Sequence, residues 1–143
     1  MIKHIIFDWD NTLSITEQIT FQIENEAATS LGYKPQTREK HLDTYGMVFI
    51  DALKLRFPGA DVHQIFNKVN SELVPKYVEE GKIDIISDST EKVLKQLKEK
   101  GYKLHILTSR VANSVKHIDN PQNPIRKHFD RIFNNESSRF PKP

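Results

Sequence analysis

The hydrophobic pattern changes character twice along the chain. Residues 2–7, Ile2-Lys3-His4-Ile5-Ile6-Phe7, are mostly apolar and β-branched or aromatic. A short run without polar alternation predicts a strand buried on both faces, as in a parallel sheet. After Leu13 the period becomes helical. Ser14-Ile15-Thr16-Glu17 fits a capping box, and Ile15, Ile19, Ile23, Ala27 and Leu31 form one apolar stripe at steps of four. Gly32 is suited to end that helix. Pro35 opens a polar, basic loop. A second helix is expected over about 48–57, closed by Pro58-Gly59. Asp61-Val62-His63-Gln64 is another capping-box candidate. Val62, Ile65, Phe66, Val69, Leu73 and Tyr77 make the next stripe, which Gly81 closes. From about 14 to 82 the pattern is helical throughout.

Strand-like character then returns. Ser89 is placed to cap a helix carrying Val93, Leu94 and Leu97, which Gly101 stops. Tyr102 to Leu107 reads as a strand running into Thr108-Ser109-Arg110. A short helix follows with Val111, Val115 and Ile118. After Pro121 and Pro124, a turn or helix over Ile125–Phe129 leads to a third strand, Asp130–Phe133. Strands alternating with helices predict an α/β fold, a parallel sheet with helices on both faces. The helical block is an insertion directly after the first strand. Ligands in such sheets bind at the carboxyl ends of the strands, so an insertion leaving from that end is expected to act as a lid.

Composition narrows the function classes. The chain has 143 residues, room for one domain with a modest insertion. Lys and Arg number 21 against 19 Asp and Glu, with no dense basic run, which does not point to nucleic acid. The absence of cysteine excludes disulfides, thiol nucleophiles and Cys-based zinc sites. No apolar run approaches a membrane span, and Met1 leads straight into a strand without a secretory segment, so the cytoplasm is the expected location.

The candidate chemistry lies at strand ends. Asp8 and Asp10 follow the first strand two residues apart, so both carboxylates can face one ligand. Such a pair calls for a cation, and Mg²⁺ suits hard oxygen donors. A carboxylate can also attack phosphorus, while a neighbour protonates the leaving oxygen and later deprotonates water. Thr108, at the end of the next long strand, offers a hydroxyl beside the N–H groups of a helix start. Lys142 could bring positive charge to a transferring phosphoryl group. Arg110 reads as a surface residue at a helix start rather than a phosphate contact. Lys34, Arg38, Lys40 and His41 read as a solvated basic face. His4, His63, His105, His117 and His128 show no metal-ligand spacing and read as structural or surface residues.

These residues match a family. Phe7-Asp8-Trp9-Asp10-Asn11-Thr12-Leu13 resembles the first motif of haloacid dehalogenase (HAD)-like hydrolases. Leu104 to Ser109 resembles their second motif, and Lys142-Pro143 their third. The resemblance implies a HAD-like Rossmannoid sheet from 1–14 and 84–143 with a small helical cap over 15–83. It further implies Asp8 as nucleophile, Asp10 as acid/base, and Thr108, Ser109 and Lys142 as phosphate-binding residues. Mg²⁺ would be held by Asp8 and Asp10, the latter through its backbone carbonyl. The implied substrate is a small phosphorylated metabolite. Asp10 argues against a dehalogenase or an ion pump, which lack an aspartate there. Asn11 replaces a glycine common in the family and should tolerate the same unusual backbone angles. Trp9 is expected to pack away from the nucleophile.

A fourth, acidic motif of the family has no counterpart before Pro143. The expectation is therefore an incomplete sheet in a piece of a longer protein, with the first strand left as an edge. The competing reading is an inactive fragment, or a non-catalytic module that associates with itself or a partner through that edge.

Overall fold

The computed structural model describes residues 1–137. The chain folds as two compact units, Thr16–Ile83 and a unit made of Met1–Ile15 with the residues from Asp84 onward. No helix among the described residues is long and apolar enough to cross a membrane.

The α/β unit contains β1 (His4–Phe7) and β2 (Lys103–Leu107), with β3 (Arg131–Phe133) beyond them. They form a parallel sheet in the order β1-β2-β3, with Phe7 opposite Ile106 and Ile106 opposite Ile132. Side chains alternate between the two faces. Ile5, Phe7, Leu104, Ile106 and Ile132 point to one face. They share a core with Leu94 and Leu97, and with Ile118 and Phe129. Leu94 and Leu97 belong to a helix over Asp88–Glu99, numbered α6 below. The second face carries His4, Ile6, Lys103 and Arg131, all exposed, beside buried His105 and half-buried Leu107 and Phe133. The expectation of a first strand buried on both faces is therefore wrong: Ile6 is 59% exposed. Sequence pattern missed this because Ile suits a strand on either face, whatever covers it.

On that second face His4 and His105 meet. Their rings are nearly coplanar, with centroids 5.2 Å apart but His4 Nδ1 and His105 Nε2 at 2.9 Å. The nitrogens are much closer than the centroids, so the rings lie end to end about an N–H···N bond rather than face to face. Burial first, then the charge of His4, hold the His105 pKa below its usual value.

The helical unit contains α1 (Glu17–Ser30), α2 (Arg38–Asp43) and α3 (Phe49–Arg56). They are followed by α4 (Val62–Lys68) and α5 (Val74–Glu79). Ile23, Ala27, Leu53, Ile65, Val69 and Leu73 form its core. The stripe of α1 is as expected from Ile19 to Leu31, and Gly32 follows it at φ +83°, a conformation open to a residue without Cβ. Its start is not. The N-cap is Thr16, with no side-chain cap bond; Ser14 instead donates its hydroxyl to the Ile85 carbonyl, and Ile15 is 88% exposed. A local capping signature lost to a bond 71 residues away. The basic loop after Pro35 also proves to be helical in part. Thr37 caps α2 by accepting from Lys40 N–H, Arg38 pairs with Glu17, and His41 is fully buried. Asp61 caps α4 as predicted, accepting from His63 and Gln64 N–H. The long stripe from Val62 is not one α-helix, because residues Val69–Leu73 form a π-helical turn between α4 and α5. In the α/β unit the cap of α6 is Ser87, two residues before the expected Ser89.

The helical unit encloses a buried ion pair. Arg56 Nη1 lies 2.7 Å from Glu24 Oε2, and each side chain is 4% exposed. Arg56 also donates to the Thr44 hydroxyl and the His41 carbonyl, and Gln36 Nε2 donates to Glu24. Removing one partner leaves a desolvated charge, which costs about 3–5 kcal/mol. Urea unfolding of Arg56→Leu should show that loss, and the double variant Arg56→Leu/Glu24→Leu should recover part of it.

Candidate active site

The tight connection after β1 has a defined local cause. The Trp9 carbonyl accepts from the N–H groups of Thr12, Leu13 and Ser14 at 3.2, 3.0 and 3.2 Å, and Asn11 N–H donates to the Ser14 carbonyl at 2.7 Å. The chain can turn this sharply because Asn11 adopts φ +55°, which asparagine tolerates better than most residues. Asp8 and Asp10 flank Trp9 at the start of this turn. Asp8 Oδ1 accepts from the Trp9 N–H at 2.8 Å. The indole of Trp9 is fully buried in the core with Leu13, Leu94 and Leu104, as its expected packing requires.

Thr108 directly follows β2 and is 2% exposed. Its N–H donates to the Phe133 carbonyl, and its hydroxyl accepts from Arg110 N–H at 3.3 Å. The helix beyond it, α7 (Ala112–Val115), is only four residues long, and Ala112 N–H donates to Glu136. The hydroxyl therefore has a local structural partner, and the N–H groups named here are engaged within the protein. Ser109 is exposed. Lys142 lies outside the described residues.

The sequence reading of Arg110 is overturned. It is not a surface residue; its side chain is 14% exposed and lies between two aspartates. Its Nε donates to Asp10 Oδ2 at 3.0 Å and its Nη2 to Asp10 Oδ1 at 2.6 Å. On its other edge, Nη1 donates to Asp84 Oδ2 at 2.8 Å and Nη2 to Asp84 Oδ1 at 2.9 Å. Asp84, with its side chain 1% exposed, also accepts from Trp9 Nε1–H at 2.7 Å and has His117 Nε2 at 2.7 Å. Asp84 sits at φ +60°. Sequence reasoning missed Asp84 and His117 as well. The available signal was a lone arginine two residues past a strand-end hydroxyl, in a protein whose other strand end is doubly acidic.

The electrostatics follow from this packing. Burial alone would push the Asp84 carboxyl up. The His117 hydrogen bond, the charge and bonds of Arg110, and the Trp9 N–H outweigh it and hold the pKa down at about 2. Burial works against the charged form of Arg110, but Asp10 and Asp84 more than offset it and raise its pKa.

A metal must fit around these contacts. Among the described residues no group of three or more His, Asp or Glu side chains could hold an ion. Both carboxylate oxygens of Asp10 engage Arg110, and Asp8 Oδ1 accepts from the Trp9 N–H, so the oxygen donors that would face a cation here are the Asp8 carboxylate and main-chain carbonyls such as that of Asp10. That sparse, hard-oxygen set fits Mg²⁺, which keeps several waters and needs only one or two carboxylates.

Comparison with known proteins agrees with the fold. CbbY from Rhodobacter sphaeroides, solved in complex with phosphate, superposes with a TM-score of 0.75 at 25% identity, covering 100% of this chain and 68% of that one. A second structure of the same protein, a mutant in complex with xylulose-(1,5)bisphosphate, matches equally well: TM-score 0.75, 25% identity and the same coverage. A predicted phosphoglycolate phosphatase from Haemophilus somnus matches with a TM-score of 0.75 at 22% identity, over 99% of this chain and 66% of that one. The chain thus spans about two thirds of the length of these structures. No curated protein sequence matches the chain.

The Asp84 environment has a pH consequence. Its folded pKa of about 2 lies below the ordinary 3.8, so its contribution is present above pH 4 and is lost as pH falls through 2. The shift corresponds to about 2 kcal/mol. Unfolding measured from pH 5 to pH 2 should show this slope, and Asp84→Asn should flatten it.

The strand-end aspartate motif and the parallel sheet are those of one enzyme family, and the match extends over residues 5–143: the chain belongs to the haloacid dehalogenase-like hydrolases.

Proposed function

We propose that the protein is a Mg²⁺-dependent phosphohydrolase acting on a small phosphate monoester through an aspartyl-phosphate. The observation that carries this reading is the register of the sheet. Phe7 stands opposite Ile106 in parallel strands, so Asp8 and Asp10 after β1 and Thr108 after β2 emerge at the same carboxyl end. A nucleophilic carboxylate, a second carboxylate and a hydroxyl at one strand end are the parts phosphoryl transfer needs. The phosphate and sugar bisphosphate bound by the Rhodobacter relative support the substrate class.

In this reading Asp8 attacks phosphorus, and Asp10 protonates the departing alkoxide. Asp10 then takes a proton from the water that cleaves the acyl phosphate. Thr108, Ser109 and Lys142 hold the phosphoryl oxygens. The residues Thr16–Ile83 serve as the cap. Bound Mg²⁺, held by Asp8 and the Asp10 carbonyl, would offset negative charge on the phosphoryl group.

With p-nitrophenyl phosphate and Mg²⁺, the wild-type chain should release phosphate and Asp8→Asn should abolish release. Unchanged turnover in Asp8→Asn would sink the proposal. The alternative reading is a non-catalytic binding module. Calorimetric binding of inorganic phosphate by a wild-type chain that releases none would select that alternative.

A further inference from the structure

We propose that Arg110 is the positioning residue for Asp10, with Asp84 as its buried anchor. This inference rests on the hydrolase reading for the role of Asp10, but its geometry stands apart from that reading. A guanidinium has a planar fork of donors fixed relative to one another. Here one edge of the fork meets both oxygens of Asp84 and another edge meets both oxygens of Asp10. The two carboxylates are not equivalent. The Asp84 side chain is 1% exposed and is held additionally by Trp9 and His117, so it cannot move without stranding a buried charge. The Asp10 side chain is 28% exposed. The anchored aspartate therefore fixes Arg110, and Arg110 fixes the plane and rotamer of the more exposed one.

An acid/base group must meet its proton acceptor or donor in one narrow geometry. Asp10 stands at the start of the turn after β1, with its side chain 28% exposed. The fork restricts its carboxylate before a ligand arrives, and misplacement by about 1 Å can cost on the order of 100-fold in rate. Lysine cannot replace it, since an ammonium has no planar fork with which to grip two carboxylates at once.

The test compares wild type with Arg110→Lys, Arg110→Gln and Asp84→Asn, using p-nitrophenyl phosphate with Mg²⁺. A positioning role predicts that kcat falls about 10- to 100-fold in the Arg110 variants while KM changes less than about 2-fold. A rise in KM with kcat preserved would mean that Arg110 grips substrate, and would overturn the proposal. Full turnover in Arg110→Lys would overturn it too. A second measurement needs no activity. The Arg110 Nε–H should exchange slowly with solvent in the wild-type chain and in Asp8→Asn, and rapidly in Asp10→Ala, as read by ¹⁵N NMR. Slow exchange that survives Asp10→Ala would refute the contact. A wild-type chain without turnover would defeat the hydrolase reading alone, and the Nε–H comparison would still decide whether Arg110 holds Asp10.

Discussion

A guanidinium withdrawn from water must be surrounded by acceptors, and much of the α/β unit is arranged to meet that demand at Arg110. Burial opposes its charge, and Asp10 and Asp84 restore it. Asp84 then makes demands of its own. It is buried more deeply than Arg110, and a carboxylate so placed needs several donors. Trp9 and His117 supply them. The indole of Trp9 is therefore more than core filler, and the unusual backbone angle at Asp84 is accepted where its side chain is held from three directions. Each contact is a condition for the next.

The helical unit solves a similar problem differently. Arg56 and Glu24 are both almost fully enclosed, and Thr44, His41 and Gln36 complete their hydrogen bonds. No partly exposed carboxylate is left in that pair. In the α/β unit the arrangement is asymmetric: one carboxylate is sealed and the other is partly open to solvent. A symmetric, closed pair is suited to specifying how helices pack. An asymmetric one leaves a partly exposed carboxylate fixed by a buried one, so the same residue types are used differently in the two units.

The sequence was informative wherever the physics is local. Asp8 and Asp10 were legible because the motif that carries them is contiguous, and the angle at Asn11 because it belongs to the residue type. Apolar stripes at helical spacing found α1 and α4, and Asp61 was recognisable as a cap from its immediate neighbours. Ser14 was misread because its hydroxyl goes to Ile85. Arg110 was misread because its first partner is 100 residues earlier in the chain, a separation no local pattern encodes. The α2 helix was hidden by its charge: Arg38 is exposed as expected, but His41 looked solvated because its acidic partner, Glu17, sits on another helix. The exposure of Ile6 was unreadable for a simpler reason, since isoleucine suits a strand whether or not anything lies over it.

Trp9 is the only tryptophan in the chain. It stands in sequence between the two aspartates of the motif, and its N–H is bonded to the anchor of the second. Indole emission responds to nearby charge and to the fate of its hydrogen bond. The protein thus has a single tryptophan fluorophore wired to the charge network, so an event that disturbs Asp84 or Arg110 can be followed by selective indole excitation without a label.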